Sequence, residues 1–147
     1  MCTHDLKALT MEGFERMLNQ GDVDYADTAI ATEAVDHQEP LGASFPPHLK
    51  KVVTTLRTGF PDLHFEVHHM IAEGDTVACR STMTGTHLGR LDIGPLAGIE
   101  PQGARVEVSH MHMFRYSGDR LADLWHVWDT TALLRQLGAP MPEMRVG

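Results

Sequence analysis

At Leu63 the apolar residues of this chain change from helical to alternating spacing, and that change limits what it can fold into. Before it, Leu6, Leu9, Phe14, Met17 and Leu18 recur at helical intervals, and Gly21 stands where a helix C-terminal glycine belongs. Asp22 or Asp24 can cap a short second helix running to about Ile30. The segment TEAVDHQEP, residues 32–40, reads as a short extended piece or turn. PPHLKKVVTTLRTGFPD predicts a third helix. Two prolines stand at its start, Leu49, Val52, Val53 and Leu56 form its stripe, and Gly59 stops it before Pro61.

Beyond Leu63, LHFEVHHMIAEGDTVACRSTMTGTH predicts a hairpin turning at Glu73-Gly74-Asp75. Residues 87–104, rich in Gly and Pro, predict a long loop. RVEVSHMHMFRYSGDRLADLWHVWD predicts a second hairpin turning at Gly118-Asp119, and TTALLRQLG a closing helix. Helices segregated from strands in this way predict an α+β fold, a curved and mostly antiparallel sheet wrapped around three N-terminal helices. Such a sheet, closed by helices at one end, leaves a deep apolar cavity suited to a small molecule. With 147 residues and no internal repeat or linker, one domain spanning 1–147 is expected.

The totals exclude several kinds of partner. A net charge of −8 opposes binding to nucleic acid or an anionic membrane surface. No apolar run approaches the roughly 20 residues of a membrane span. The start, MCTHDLKALT, has no basic stretch leading into an apolar core, as a secretory signal would. Cys2 and Cys79 are too few for a disulfide framework, so a cytoplasmic protein is expected. The unusual count is ten histidines, the side chain whose ordinary pKa lies nearest neutrality.

Alternation over 105–116 places Val106, Val108, His110, His112 and Phe114 on one face. In the partner strand Leu124, His126 and Trp128 share a face, and Asp123, Trp125 and Val127 share the other. A three-residue loop with a bulge pairs Ser117 with Leu121 and sets His112 opposite His126. A two-residue turn instead pairs Met111 with His126 and sends the two histidines to opposite sides. On one apolar wall the two imidazoles would make an acid/base pair, with His126 as base and His112 as orienting or proton-donating partner. Either could equally be a packed ring satisfied by backbone. His110, Phe114, Leu124 and Trp128 would line the same pocket, and His37 is expected to contact the substrate there. Arg80 can point either way.

His110-x-His112 also has the spacing of a metal pair, but no Cys or carboxylate spacing supplies further ligands, so no metal is expected. Of His68-His69, one is expected exposed and the other half-buried. Trp125 falls on the outer face, where a large aromatic favours a subunit interface. No Gly-x-Ser-x-Gly elbow, phosphate-binding loop or dinucleotide fingerprint is present.

The phrases TGFPDLHFEVHHMIAEGDTVA, TGTHLG and RLADLWHVWDTTALLRQLG together resemble the SnoaL-like polyketide cyclase family, of the nuclear transport factor 2-like superfamily. The resemblance runs from the first helix to Gly138. It implies a cone-shaped α+β barrel with a deep apolar pocket, built into homodimers or homotetramers. It also implies an intramolecular aldol condensation on a polyketide-type or other carbonyl-bearing ring, without metal or cofactor. The family's pocket histidine falls on His112. Its catalytic aspartate falls in Asp123-Leu124-Trp125-His126, at the position that His126 occupies. Asp123 and Asp129 match only the flanking acidic positions. The loop containing Gly98-Ile99-Glu100-Pro101-Gln102-Gly103 is longer than the family's usual one.

His in place of Asp starts near the right pKa for a base, so enolate chemistry can survive the exchange. Two other readings stand beside it. Relatives lacking the aspartate act as hydroxylases, or their partners, on anthracycline-type rings. The superfamily also includes non-catalytic binding modules.

Overall fold

The computed structural model describes residues 2–38 and 44–140. Helix α1 (Thr3–Gly13) runs into a π-helical turn (Phe14–Asn19), where Gln20 N–H donates to the Glu15 carbonyl at 2.9 Å. Phe14 packs into one buried cluster and Met17 into another. A 3₁₀ turn (Val23–Tyr25) and a short α2 (Ala26–Ala29) lead into strand β1 (Ile30–Asp36). Helix α3 (Phe45–Gly59), strands β2 (His64–Glu73), β3 (Thr76–Thr86), β4 (Arg105–Ser117) and β5 (Arg120–Trp128), and helix α4 (Thr130–Gln136) complete the chain. The α+β class and the curved sheet are as the period change predicted.

The sheet order is β1-β5-β4-β3-β2, antiparallel throughout except that β1 lies parallel to β5. Where the sequence reads as a short piece or turn, the protein has an edge strand. Its last two residues in that reading, 39 and 40, lie outside the described residues. Burial along Ile30–Asp36 follows no clean alternation, so periodicity gave no strand signal, and only the presence of β5 makes this segment a strand.

Both hairpins turn on two residues, Gly74-Asp75 and Gly118-Asp119, each with its glycine at positive φ (+59° and +61°). The second hairpin differs from both expected alternatives. Its two-residue loop pairs Ser117 with Arg120 and Tyr116 with Leu121, and a bulge then leaves Ala122 unpaired, so Arg115 meets Asp123 and His112 meets His126. A bulge one step beyond the turn thus produces the pairing that a longer loop would have given. Another bulge, between Val67 and His69 in β2, leaves both His68 and His69 exposed, correcting the expected half-buried partner. His68 bonds Thr82 Oγ1 at 2.7 Å, and Arg80 donates to His69 Nδ1 at 3.0 Å.

The long connection after β3 is a packed rim. Leu91 and Leu96 are buried, and the N–H groups of Leu88 and Gly89 both donate to the Gly59 carbonyl at the end of α3. Asp62 accepts from the N–H and hydroxyl of Thr86 at 2.7 and 2.8 Å, which fixes where β3 ends. Among the described residues no helix is long and apolar enough to cross a membrane.

A Cβ on Gly89 would lie 2.2 Å from the Thr58 carbonyl oxygen, a backbone atom that cannot swing aside. Gly89→Ala should therefore cost about 2 kcal/mol or more of stability, read as a lowered midpoint in chemical denaturation. An unchanged midpoint would show that the rim is not seated on α3.

Candidate functional site

The pleat carries the inward side chains of four strands into rows across the sheet. One row is Met70, Cys79, His112, His126; the next is Val67, Ser81, His110, Trp128; a third is Ala72, Val77, Phe114, Leu124. The β4 and β5 members of these rows, with Phe65 of β2, wall a cavity of about 830 Å³, closed by Phe14 and by Leu56 of α3. The lining is mainly apolar, and its polar groups include His110, His112, His126, Asp36 and Gln38.

Along β4 the rings stand parallel, His110 to His112 at 5.6 Å and His112 to Phe114 at 5.5 Å between centroids. Phe14 meets His112 edge-on at 5.4 Å, and Phe65 meets His110 edge-on at 5.0 Å. His112 and His126 are opposed as the bulged register requires, with centroids 5.8 Å apart and planes 17° apart. Stacked rings present faces to each other, so no hydrogen bond joins them and no proton passes directly between them.

The partner of His126 comes from β1. Its Nε2 lies 3.0 and 3.1 Å from the two carboxylate oxygens of Asp36, and its backbone N–H donates to Gln38 Oε1 at 2.6 Å. The Asp36 side chain is 6% exposed and the His126 ring 25%, so the pair spans the boundary between buried protein and open cavity. A carboxylate accepts only, so Nε2 carries the proton donated in this contact.

His110 and His112 sit in a different environment. Burial pushes each down to about 3, and neighbouring imidazoles, His126 for both, push the same way. Both are neutral at pH 7. Among the described residues, neither nitrogen of His110 nor Nδ1 of His112 has a hydrogen-bond partner. An unmet buried polar atom costs about 1–3 kcal/mol, so these edges favour a ligand that offers them a hydroxyl or carbonyl.

Of the residues expected at the site, His110, His112, Phe114, Leu124, His126 and Trp128 all line the cavity. His37 does not. At and just beyond the end of β1, Asp36 and Gln38 face inward and His37 outward, where Nε2 bonds Asp123 Oδ1 at 2.9 Å and the ring stacks on Trp125 at 4.4 Å. Arg80 is also on the outer side, against His69. Sequence reasoning missed Asp36 and Gln38. Their i, i+2 spacing in Asp36-His37-Gln38 was the available signal, and it needed the strand to be recognised first. Among the described residues no group of three or more His, Cys, Asp or Glu side chains could hold a metal ion.

Comparison with known proteins points one way. The sequence profile of a family described as SnoaL-like polyketide cyclase matches residues 8–137. TsrD from Streptomyces laurentii has the same fold at a TM-score of 0.81 and 25% identity, over 95% of this chain and 99% of that one. AclR from Streptomyces galilaeus, named as a candidate hydroxylase, matches at 0.79 and 27%, over 99% and 87% of the two chains. IdmH from Streptomyces antibioticus, named as a candidate polyketide cyclase, matches at 0.70 and 28%, over 88% and 96%. No curated protein matches the sequence.

The buried imidazoles make stability depend on pH. Folded, they take up protons only near pH 3, whereas the unfolded chain does so near the ordinary 6.5. Between those values the unfolded state binds more protons, so stability falls as pH drops through this window. His110→Gln removes one titrating ring. Its denaturation midpoint should therefore fall less than that of the parent protein between about pH 7.5 and about pH 5. Equal falls would contradict the assignment.

Proposed function

The chain belongs to the SnoaL-like polyketide cyclase family, and from that premise we propose that it is an enzyme using His126 as a general base, oriented by Asp36. The substrate class is a polyketide-type or other carbonyl-bearing cyclic molecule, and the reaction is an aldol-type ring closure. The observation that carries this reading is the His126–Asp36 imidazole–carboxylate pair on the wall of an apolar cavity.

Each step follows from the groups present. His126 Nδ1 removes a proton from a carbon next to a carbonyl, while Nε2–H stays bonded to Asp36. The imidazolium that forms is stabilised by the carboxylate at 3.0 Å, as in other base–orienter pairs. The enolate carbon attacks a second carbonyl of the same molecule, forming the ring C–C bond. The resulting alkoxide takes the proton back from His126, so the base is regenerated. The cavity's contribution is to hold both carbonyl groups at reacting distance, which makes the attack unimolecular. His110 and His112, uncharged at neutral pH, serve as hydrogen-bond partners for substrate oxygens rather than as proton donors.

A second reading has its own support in the likeness to AclR. There the same pocket would hold a polycyclic substrate anion that reacts with molecular oxygen, with electrons from a separate reductase. Oxygen uptake and a product with one more oxygen would establish it; one more ring at unchanged oxygen count would exclude it. The exposed outer-face row of Met111, Met113 and Trp125 supports a homo-oligomer joined through the sheet.

On a cyclisable polyketide, His126→Ala should lower kcat on the order of 100-fold or more. Asp36→Asn, which keeps the shape but removes the charge that holds the tautomer, should lower it about 10- to 100-fold. A parent-like rate in His126→Ala would end the proposal.

A further inference from the structure

Strand β1 is an edge strand whose ladder with β5 is interrupted over most of its length, so its hold on β5 is concentrated at its C-terminal end. Its pairings with β5 are Ile30 with Leu121, Val35 with Asp123 and Asp36 with Leu124, with an irregularity between the first two. Yet Asp36 must be held closely enough to keep both carboxylate oxygens within 3.1 Å of His126 Nε2.

The attachment is made by three consecutive residues. Asp36 holds the His126 ring, and Gln38 Oε1 accepts the His126 backbone N–H. Between them, the His37 N–H donates to the Leu124 carbonyl at 2.9 Å, and its ring bonds Asp123 Oδ1 on the outer side. The His37 ring lies flat on Trp125, with only 6° between planes, so it is gripped from its edge and its face. Asp123 is itself anchored: Arg115 Nε donates to it at 2.7 Å, and the same guanidinium reaches Asp75 in the β2–β3 turn at 3.7 Å. His37 therefore ties β1 to a fixed point shared by β4, β5 and that turn.

Two imidazole–carboxylate pairs thus cross between the same two strands. The end of β1 supplies Asp36 and the residue after it His37; β5 supplies His126 and Asp123. The inner pair opens on the cavity and the outer pair does not. We propose that His37 is a positioning residue, which by locking onto Asp123 and Trp125 holds the adjoining Asp36 carboxylate against His126. This rests on the reading of His126 and Asp36 given above. A shift of about 1 Å in β1 is enough to break a 3.0 Å contact, and displacement on that scale costs reacting geometry heavily.

The test compares His37→Ala with His37→Gln, whose amide can still donate to Asp123 from the same place. In His37→Ala kcat should fall about tenfold or more with KM within about twofold, and His37→Gln should recover most of the loss. The imidazole ¹⁵N shifts of His126, measured without substrate, supply a readout that loss of packing alone would not move. They should report a proton on Nε2 in the parent protein and in His37→Gln, and a mixture of the two tautomers in His37→Ala. Parent-like kcat and parent-like shifts in His37→Ala overturn the proposal, as does a His37→Gln variant that is folded but no better than His37→Ala. If His126→Ala proves fully active while the shifts still change in His37→Ala, the reaction assignment fails and the positioning role stands.

Discussion

The register between β4 and β5 is the constraint on which the site depends. Side chains alternate across a sheet, so a slip of one residue would place Met111 opposite His126 and turn His112 to the other side. Two short-range devices prevent it. A two-residue loop at Gly118-Asp119 starts the pairing, and the unpaired Ala122 shifts it by one before the histidines are reached. Leu121 and Leu124, three apart, both remain buried because the bulge lies between them. The same correction delivers His126 and Trp128 to the cavity and Trp125 to the outer face.

Within that register, three imidazoles on one wall acquire different characters from their surroundings alone. His110 and His112 are enclosed by Phe14, Phe65 and Phe114, and burial keeps them uncharged. His126, a quarter exposed, has Asp36 at its Nε2. The histidines expected to share a hydrogen differ in their surroundings instead: His126 has a carboxylate at its edge, while His110 and His112 stand uncharged among aromatic rings.

The acid beside His126 enters from the far side of the sequence, 90 residues earlier, through an edge strand that lies parallel to β5. The family resemblance leaves His126 at the position of a catalytic aspartate, and the fold brings an aspartate back to the same locality from β1. His37, the residue after the strand, lies outside, where with Asp123, Arg115 and Trp125 it forms a polar clasp on the back of the site. Inner and outer faces of one tripeptide thus serve the same pair of strands.

Much of this was legible in the residues themselves. Helical spacing before Leu63 and alternation after it specify the α+β class, the two hairpins and the faces of β4 and β5, because burial of one face is a local property of each element. Gly74-Asp75 and Gly118-Asp119 mark the turns for the equally local reason that glycine tolerates positive φ. What alternation could not decide was the bulge at Ala122, the strand character of Ile30–Asp36 and the inward aim of Asp36. Each depends on a neighbour distant in sequence: an edge strand exists only where another strand offers it unpaired N–H and carbonyl groups, and a carboxylate turns inward only where an imidazole meets it. Periodicity records which side of an element is apolar; tertiary structure alone decides what stands opposite.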